Sequence, residues 1–225
     1  KLFNLILKNG SKAIVKKFLE EGSKVIIVDI NEDAARELSK DLGPKTLAVK
    51  ADIGDTNSVE NLKKSVFESF ERVDIVVNNA GVTHLPTPLD EVTEEDFDRV
   101  FRINCKSVYL MAKAFVPEMK NQCSGSILNI ASTAGVSPRP NLNWYNSSKG
   151  WMNTATKTMA VELAPFGVRV NAVNPVASET PLLASFMGED TPEIRQKFLS
   201  TIPIGRFAQP EDIANAACYL SSEEA

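Results

Sequence analysis

Lys24-Val25-Ile26-Ile27-Val28-Asp29 decides the fold. Between its polar ends the run is unbroken and β-branched, which suits a strand buried on both faces rather than one with a wet side. Thr46–Lys50 (TLAVK), Val73–Val77 (VDIVV), Ser126–Ala131 (SILNIA) and Val168–Val173 (VRVNAV) read the same way, and Leu2–Leu7 (LFNLIL) supplies a first strand. Helical patterns fill the spaces: Ser11–Glu21, Glu32–Leu42, Ser58–Phe70, Thr93–Lys120 and Trp144–Ala164, with Glu211–Ser222 after the last strand. Thr93-Glu-Glu-Asp96 has the capping hydroxyl and first-turn acids of a helix start. Pro165 and Gly167 end the Trp144 helix, and Gln209-Pro210-Glu211 opens the final one. Strands alternating with helices predict one α/β domain over residues 1–225, a doubly wound parallel sheet covered by helices on both faces. The stretch Val176–Ile204 interrupts the alternation. It is rich in Ser, Thr, Pro, Met and Phe, and at the ligand end of a sheet such an excursion reads as a substrate loop.

Composition narrows the function. Lys and Arg total 25 against 29 Asp and Glu, a net charge of −4, which argues against nucleic acid or an anionic membrane as partner. No apolar run approaches the ~20 residues of a membrane helix, and the first residues are too short and too broken for a secretory signal. Cys105, Cys123 and Cys218 are odd in number and far apart, which points to a reducing cytoplasm rather than a disulfide framework. With a single histidine, His84, no metal site is expected. His84 itself reads as an exposed loop residue.

The chemistry-bearing residues gather at one end of the sheet. Asp29 ends the second strand, and Asp52-Ile53 follows the third. Asn78-Asn79-Ala80-Gly81 follows the fourth, Ser132 the fifth and Asn174-Pro175 the sixth. Open parallel sheets bind ligands beyond the carboxyl ends of their strands. Tyr145 and Lys149 are four apart on one helix face. An ammonium beside a phenol favours the phenolate and is expected to lower a pKa of about 10, so that Tyr145 could exchange a proton with an alcohol or ketone near neutral pH.

With Asn78-Asn79-Ala80-Gly81, Asn104, Ser132, Tyr145-x-x-x-Lys149, and Asn174-Pro175 followed by Thr180, the chain resembles the short-chain dehydrogenase/reductase family from about Ala13 to Glu224. Within that family it looks most like the 3-oxoacyl-acyl-carrier-protein reductase and sugar or polyol dehydrogenase group. The resemblance implies a Rossmann-like sheet and hydride transfer between NAD(H) and a carbonyl or secondary alcohol. It implies that Tyr145 is the acid or base and that Ser132 steadies the substrate oxygen. Lys149 would tune the tyrosine and hold the nicotinamide ribose, and Asn104 would keep a helix kink and a water leading to Lys149. Asp52 and Ile53 would flank the adenine, Asn79, Ala80 and Gly81 would lie along the cofactor with Pro175, and Thr180 would reach the nicotinamide amide. A carboxylate at Asp29, with no arginine beside it, accepts ribose hydroxyls and repels a 2′-phosphate, so NAD is expected over NADP. It could equally cap the helix that starts near Glu32. In the family, the helices corresponding to Thr93–Lys120 and Trp144–Ala164 pack between subunits, which implies a homo-oligomer, tetramer or dimer.

Two segments depart from the family. Leu7-Lys8-Asn9-Gly10-Ser11-Lys12 stands where the family carries Thr-Gly-x-x-x-Gly-x-Gly, whose amides cradle a diphosphate. The sequence also ends at Ala225, where relatives continue into a seventh strand, so the sixth is expected to be an edge. Val176 stands where many relatives have glycine. These departures keep open a different reading, a non-catalytic nucleotide-sensing or oligomeric scaffold. An epimerase or dehydratase of the extended relatives shares Tyr-x-x-x-Lys but calls for a larger C-terminal part. Trp144, Trp151, Phe186 and Met187 are candidates for an apolar substrate pocket, and Pro138-Arg139-Pro140-Asn141 for a loop that shapes it.

Overall fold

The computed structural model describes residues 3–7 and 12–225. Six parallel strands form one sheet in the order β3-β2-β1-β4-β5-β6. They are β1 Phe3–Leu7, β2 Lys24–Asp29, β3 Thr46–Lys50, β4 Ile75–Asn78, β5 Gly125–Ile130 and β6 Val168–Val173. β1 lies between β2 and β4, with Leu5 opposite Ile26 on one side and Val76 on the other. The strand order reverses there, which opens a crevice at the carboxyl ends of β1 and β4. β6 pairs with β5 alone among the described residues.

Alternation along the strands explains the unbroken apolar runs. Ile26 and Val28 enter one core with Val76 and Ile127, while Val25 and Ile27 enter another with Ile75, Val77 and Leu128. Helices α3 (Thr56–Ser69), α5 (Ser107–Asn121) and α6 (Asn143–Leu163) close the first face through Leu62, Phe115 and Leu163. Helices α1 (Lys12–Glu20), α2 (Glu32–Leu42) and α9 (Pro210–Ser221) close the second through Phe18, Leu38 and Ala217. Each fully buried aliphatic side chain contributes about 1.5–3 kcal/mol by leaving water.

The helix expected over Thr93–Lys120 is interrupted. It runs as α4 (Glu94–Phe101), a π-helical turn over Arg102–Lys106, and then α5. Asn104 sits in the wide turn. The excursion after β6, expected only as a loop, carries two short helices, α7 (Leu182–Met187) and α8 (Pro192–Leu199). They share a small core of Leu183, Met187, Ile202 and Phe207. The departure expected at Lys8–Ser11 lies outside the described residues.

Candidate active site

The site begins with how two backbones approach. Ser132 ends the extension of β5 and caps a single 3-10 turn, Thr133–Gly135, accepting the Ala134 N–H at 3.1 Å. A Cβ on Gly135 would come within 2.6 Å of the Lys149 carbonyl carbon. Only glycine lets this turn lie directly on α6, and that contact brings Ser132 beside Tyr145. The Pro175 carbonyl accepts the Thr133 N–H at 3.0 Å, tying the turn to the end of β6. Gly81 plays a similar part on the other wall, where a Cβ would meet Lys149 Nζ at 3.3 Å and Asn104 Oδ1 at 3.5 Å.

Asn79, Gly81, Ser132, Tyr145, Lys149, Pro175 and Thr180 line one cleft. Ile14 of α1 and Ile213 of α9 form its far wall, and Phe186 of α7 its roof. Asn104 stands behind it, fully buried. Its amide donates to the Val82 carbonyl and to Ser148 Oγ and accepts the Val82 N–H, all at 2.9 Å. Ser148 in turn donates to the Tyr145 carbonyl at 2.7 Å, so Asn104 braces the loop after β4 against the turn of α6 that carries tyrosine and lysine.

The remaining expected residues lie along the same sheet edge but outside that cleft. Asp29 Oδ1 accepts the Asn31 N–H at 2.8 Å. The cap of α2 is Asn31, not Asp29, because Asn31 Oδ1 accepts the Ala34 N–H at 3.1 Å. The Asp52 carboxylate takes two hydrogen bonds from Arg102 Nη1, at 2.8 and 2.9 Å, and one from the Gly54 N–H. Ile53 and Ala80 pack into the core on the α3 and α5 side of the sheet.

The charge state of the central pair corrects an expectation. The Tyr145 phenol is not lowered. Burial pushes it up to about 12, with the nearby Ser132 hydroxyl only partly opposing that. Lys149 sits 6.0 Å from the centre of the Tyr145 ring, and its amine donates to the Ile130 carbonyl at 2.8 Å. Burial pushes that amine down to about 8. The neighbouring Cys105 thiol, itself pushed up to about 12 by burial, is neutral at pH 7 and lends the amine no charge there. Desolvation is the largest cause of both shifts, since one face of the helix also means one buried seam.

His84 is a second correction. It is 2 % exposed rather than a loop surface residue, with Nδ1 at 2.7 Å from the Leu85 carbonyl. Arg99 donates to the Thr83 carbonyl and folds that loop inward. Of the four candidate pocket residues, only Phe186 lines the cleft, its ring centre 5.0 Å from that of Tyr145. Met187 turns into the excursion's own core. Trp144 sits edge-on to Phe97 and donates to the Leu89 carbonyl, and Trp151 is on the surface. Sequence reading missed Gly135 and Ser148, whose parts depend on a helix–turn contact distant in the chain. It also missed a buried relay in which Asn78 donates to Asn129 and Asn129 to Thr156, each at 2.8 Å. Asparagines within apolar strands were its available signal, because such amides need partners.

Comparison with known proteins agrees with this geometry. A family profile described as enoyl-(acyl carrier protein) reductase matches residues 11–225. The chain is 42% identical over 217 residues to the 4-formylbenzenesulfonate dehydrogenase TsaC1/TsaC2 of Comamonas testosteroni, spanning 95% of this chain and 86% of that protein. It is 37% identical over 217 residues to the 3-oxoacyl-[acyl-carrier-protein] reductase FabG of Thermotoga maritima, with the same 95% and 86% coverage. The crystal structure of the Brucella melitensis 3-ketoacyl-(acyl-carrier-protein) reductase with NADH superposes with a TM-score of 0.93 at 41% identity, covering 100% of this chain and 92% of that one.

Proposed function

The chain belongs to the short-chain dehydrogenase/reductase family, and from that premise we propose that its cleft interconverts a carbonyl compound and the matching alcohol with NAD(H), using Tyr145, Ser132 and Lys149. It is an oxidoreductase working with a nicotinamide dinucleotide on alcohol and ketone groups. The residues present fit such a group. The cleft opens where the strand order reverses, between α1, the loop after β4 and Thr180. At the end of β2 one Asp29 oxygen is held by Asn31, and the other has no partner among the described residues. That free oxygen suits a ribose hydroxyl donor and repels a 2′-phosphate, which supports NAD over NADP.

Bound nicotinamide supplies the hydride. The protein's part is proton transfer and charge stabilisation. In reduction, the Tyr145 hydroxyl donates its proton to the oxygen that gains charge, and the Ser132 hydroxyl donates a hydrogen bond to the same oxygen. A phenol pushed up to about 12 keeps that proton throughout the neutral range, so it stands ready as an acid. The Lys149 ammonium stabilises the phenolate left behind. Asn104 keeps this turn of α6 registered against the loop after β4. Exposed Tyr109 on α5 and Trp151 and Val161 on α6 support association through those helices, as dimer or tetramer, which light scattering reads directly.

The Ser132 and Tyr145 hydroxyls lining one cleft with a buried Lys149, at the strand-order reversal, carry this reading. The test is Tyr145→Phe, assayed with NADH and with NADPH. Turnover is expected to fall about 10²–10⁴-fold with the circular dichroism unchanged. An unchanged rate would remove the assignment, and a wild type preferring NADPH would remove the role of Asp29.

A further inference from the structure

Arg36, Arg72, Arg99, Arg102, Arg195 and Arg206 each face a carboxylate. Arg169 donates to the carbonyls of Leu220 and Ser222. Arg139 differs from all of them. No carboxylate among the described residues lies within 4.0 Å of it. Its guanidinium lies 4.6 Å from the centre of the Phe198 ring, and Nη2 donates to Thr201 Oγ1 at 2.9 Å. The rest of the fork is left for an acceptor from outside.

The cation is held, not trailing. Arg139 stands between Pro138 and Pro140, so its backbone is confined on both sides. Its carbonyl accepts Asn146 Nδ2 at 2.7 Å, and Asn146 is the residue after Tyr145 on α6. Two residues beyond Arg139, the Asn141 carbonyl accepts the Thr87 N–H at 2.9 Å, tying the loop to the one that follows β4. The excursion supplies the apolar surroundings. Phe186 of α7 lies against Tyr145, and Phe198 of α8, packed on the same small core, lies under Arg139. One aromatic thus meets the proton donor, and another meets an unpaired cation.

We propose that Arg139 is a specificity-determining residue that binds an anionic end of the substrate, a carboxylate or sulfonate, while the carbonyl at the other end lies against Tyr145 and Ser132. The inference rests on the cleft being the site of carbonyl chemistry. It commits the substrate to a charged head, an apolar middle lying along the excursion, and a reactive carbonyl. A planar guanidinium pairs with such oxyanions in two parallel hydrogen bonds.

The probes are 4-carboxybenzaldehyde and its methyl ester, reduced with NADH by the wild type and by Arg139→Gln. We expect the wild type to prefer the acid. The acid-to-ester ratio of kcat/KM should fall at least tenfold in the variant, and rising salt should erode the wild-type preference. A ratio unchanged by the substitution would overturn the proposal, because an arginine that only latches the excursion damages both substrates alike. A wild type that reduces the ester without preferring the acid would overturn it too, leaving the proposed function intact. If neither aldehyde is reduced, calorimetry with benzene-1,4-dicarboxylate decides. Binding lost in Arg139→Gln would support Arg139 as the anion-binding residue, with the carbonyl chemistry then judged by Tyr145→Phe, and no binding to the wild type would overturn the proposal. Dissociation of an oligomer in the variant, seen by light scattering, would assign the cation to a second copy of the chain and overturn the proposal.

Discussion

Two regions meet at Tyr145, and they are held by different forces. Beneath it, β4, β5 and α6 are joined by buried side-chain hydrogen bonds through Asn78, Asn129 and Thr156, through Asn104 and Ser148, and from Lys149 to Ile130. Above it, residues 176–209 are held by half-exposed charges, with Arg195 pairing to Glu179 and Asp190 and stacking on Phe207, and by a small core. Buried polar networks admit one arrangement, because every alternative leaves a group unpaired out of water. Exposed pairs admit many, since water replaces each partner at little cost. The molecule therefore keeps the proton-transfer geometry in the part that cannot shift and the substrate-facing surface in the part that can.

Asn104→Ala is the harshest way to break that contrast. It strips partners from the Val82 N–H and carbonyl and leaves a hole beside Ser148. An orphaned buried group costs about 1–3 kcal/mol, so the loss should be on the order of 3 kcal/mol. The melting temperature should drop by roughly 6–12 °C at this chain length, and turnover should fall with it. A variant that melts with the wild type would show that the interlock beneath the site is ornamental.

The same division governs what the sequence discloses. Strands such as Lys24–Asp29 were legible because burial on both faces leaves no period-2 pattern to misread. Ser132, Tyr145 and Lys149 were legible as types at fixed spacings. The sign of the tyrosine shift was not, because spacing along a helix says which groups share a face and nothing about how dry that face is. The burial of His84 was hidden too, since it depends on Arg99 reaching back from α4. The π turn at Arg102–Lys106 has no periodic signature and is set by the amide of Asn104 bonding across to Val82. Helix α8 carried signals that went unused: Thr191 caps it and Pro192 opens it, as at Gln209-Pro210, and Ile194, Phe198 and Leu199 follow at helical spacing.

Lys149→Met separates the charge of the interior from its hydrogen bonding. The folded amine titrates at about 8 against an ordinary 10.5, so between those values the unfolded chain holds more protons than the folded one. Stability then rises with pH across that window and is lost as pH falls through about 8. The shift corresponds to on the order of 3 kcal/mol. Tyr145 works oppositely, its contribution falling between about 10 and 12, but it is present in both proteins and cancels in the difference. Urea unfolding at pH 7 to 10.5 should therefore show the wild type gaining on the variant above pH 8 and holding a constant offset below it. Parallel curves throughout would mean that the amine is solvated and the seam is not dry.

Arg195→Ala addresses the other region and should have the smallest effect on the whole chain. Its guanidinium pairs with Glu179 at 3.0 Å and with Asp190, and both carboxylates are more than a third exposed. Water can replace those partners, so global melting should be unchanged within error. The excursion is different, because this arginine links the segment before α7 to α8 and also covers Phe207. Local opening there should increase, so limited proteolysis should cut between α7 and α8 faster in the variant. KM should rise while the rate at saturation holds, because Tyr145, Ser132 and Lys149 stay seated on the buried network. A fall in the saturated rate with KM unchanged would reverse the comparison, placing part of the proton-transfer geometry in the excursion.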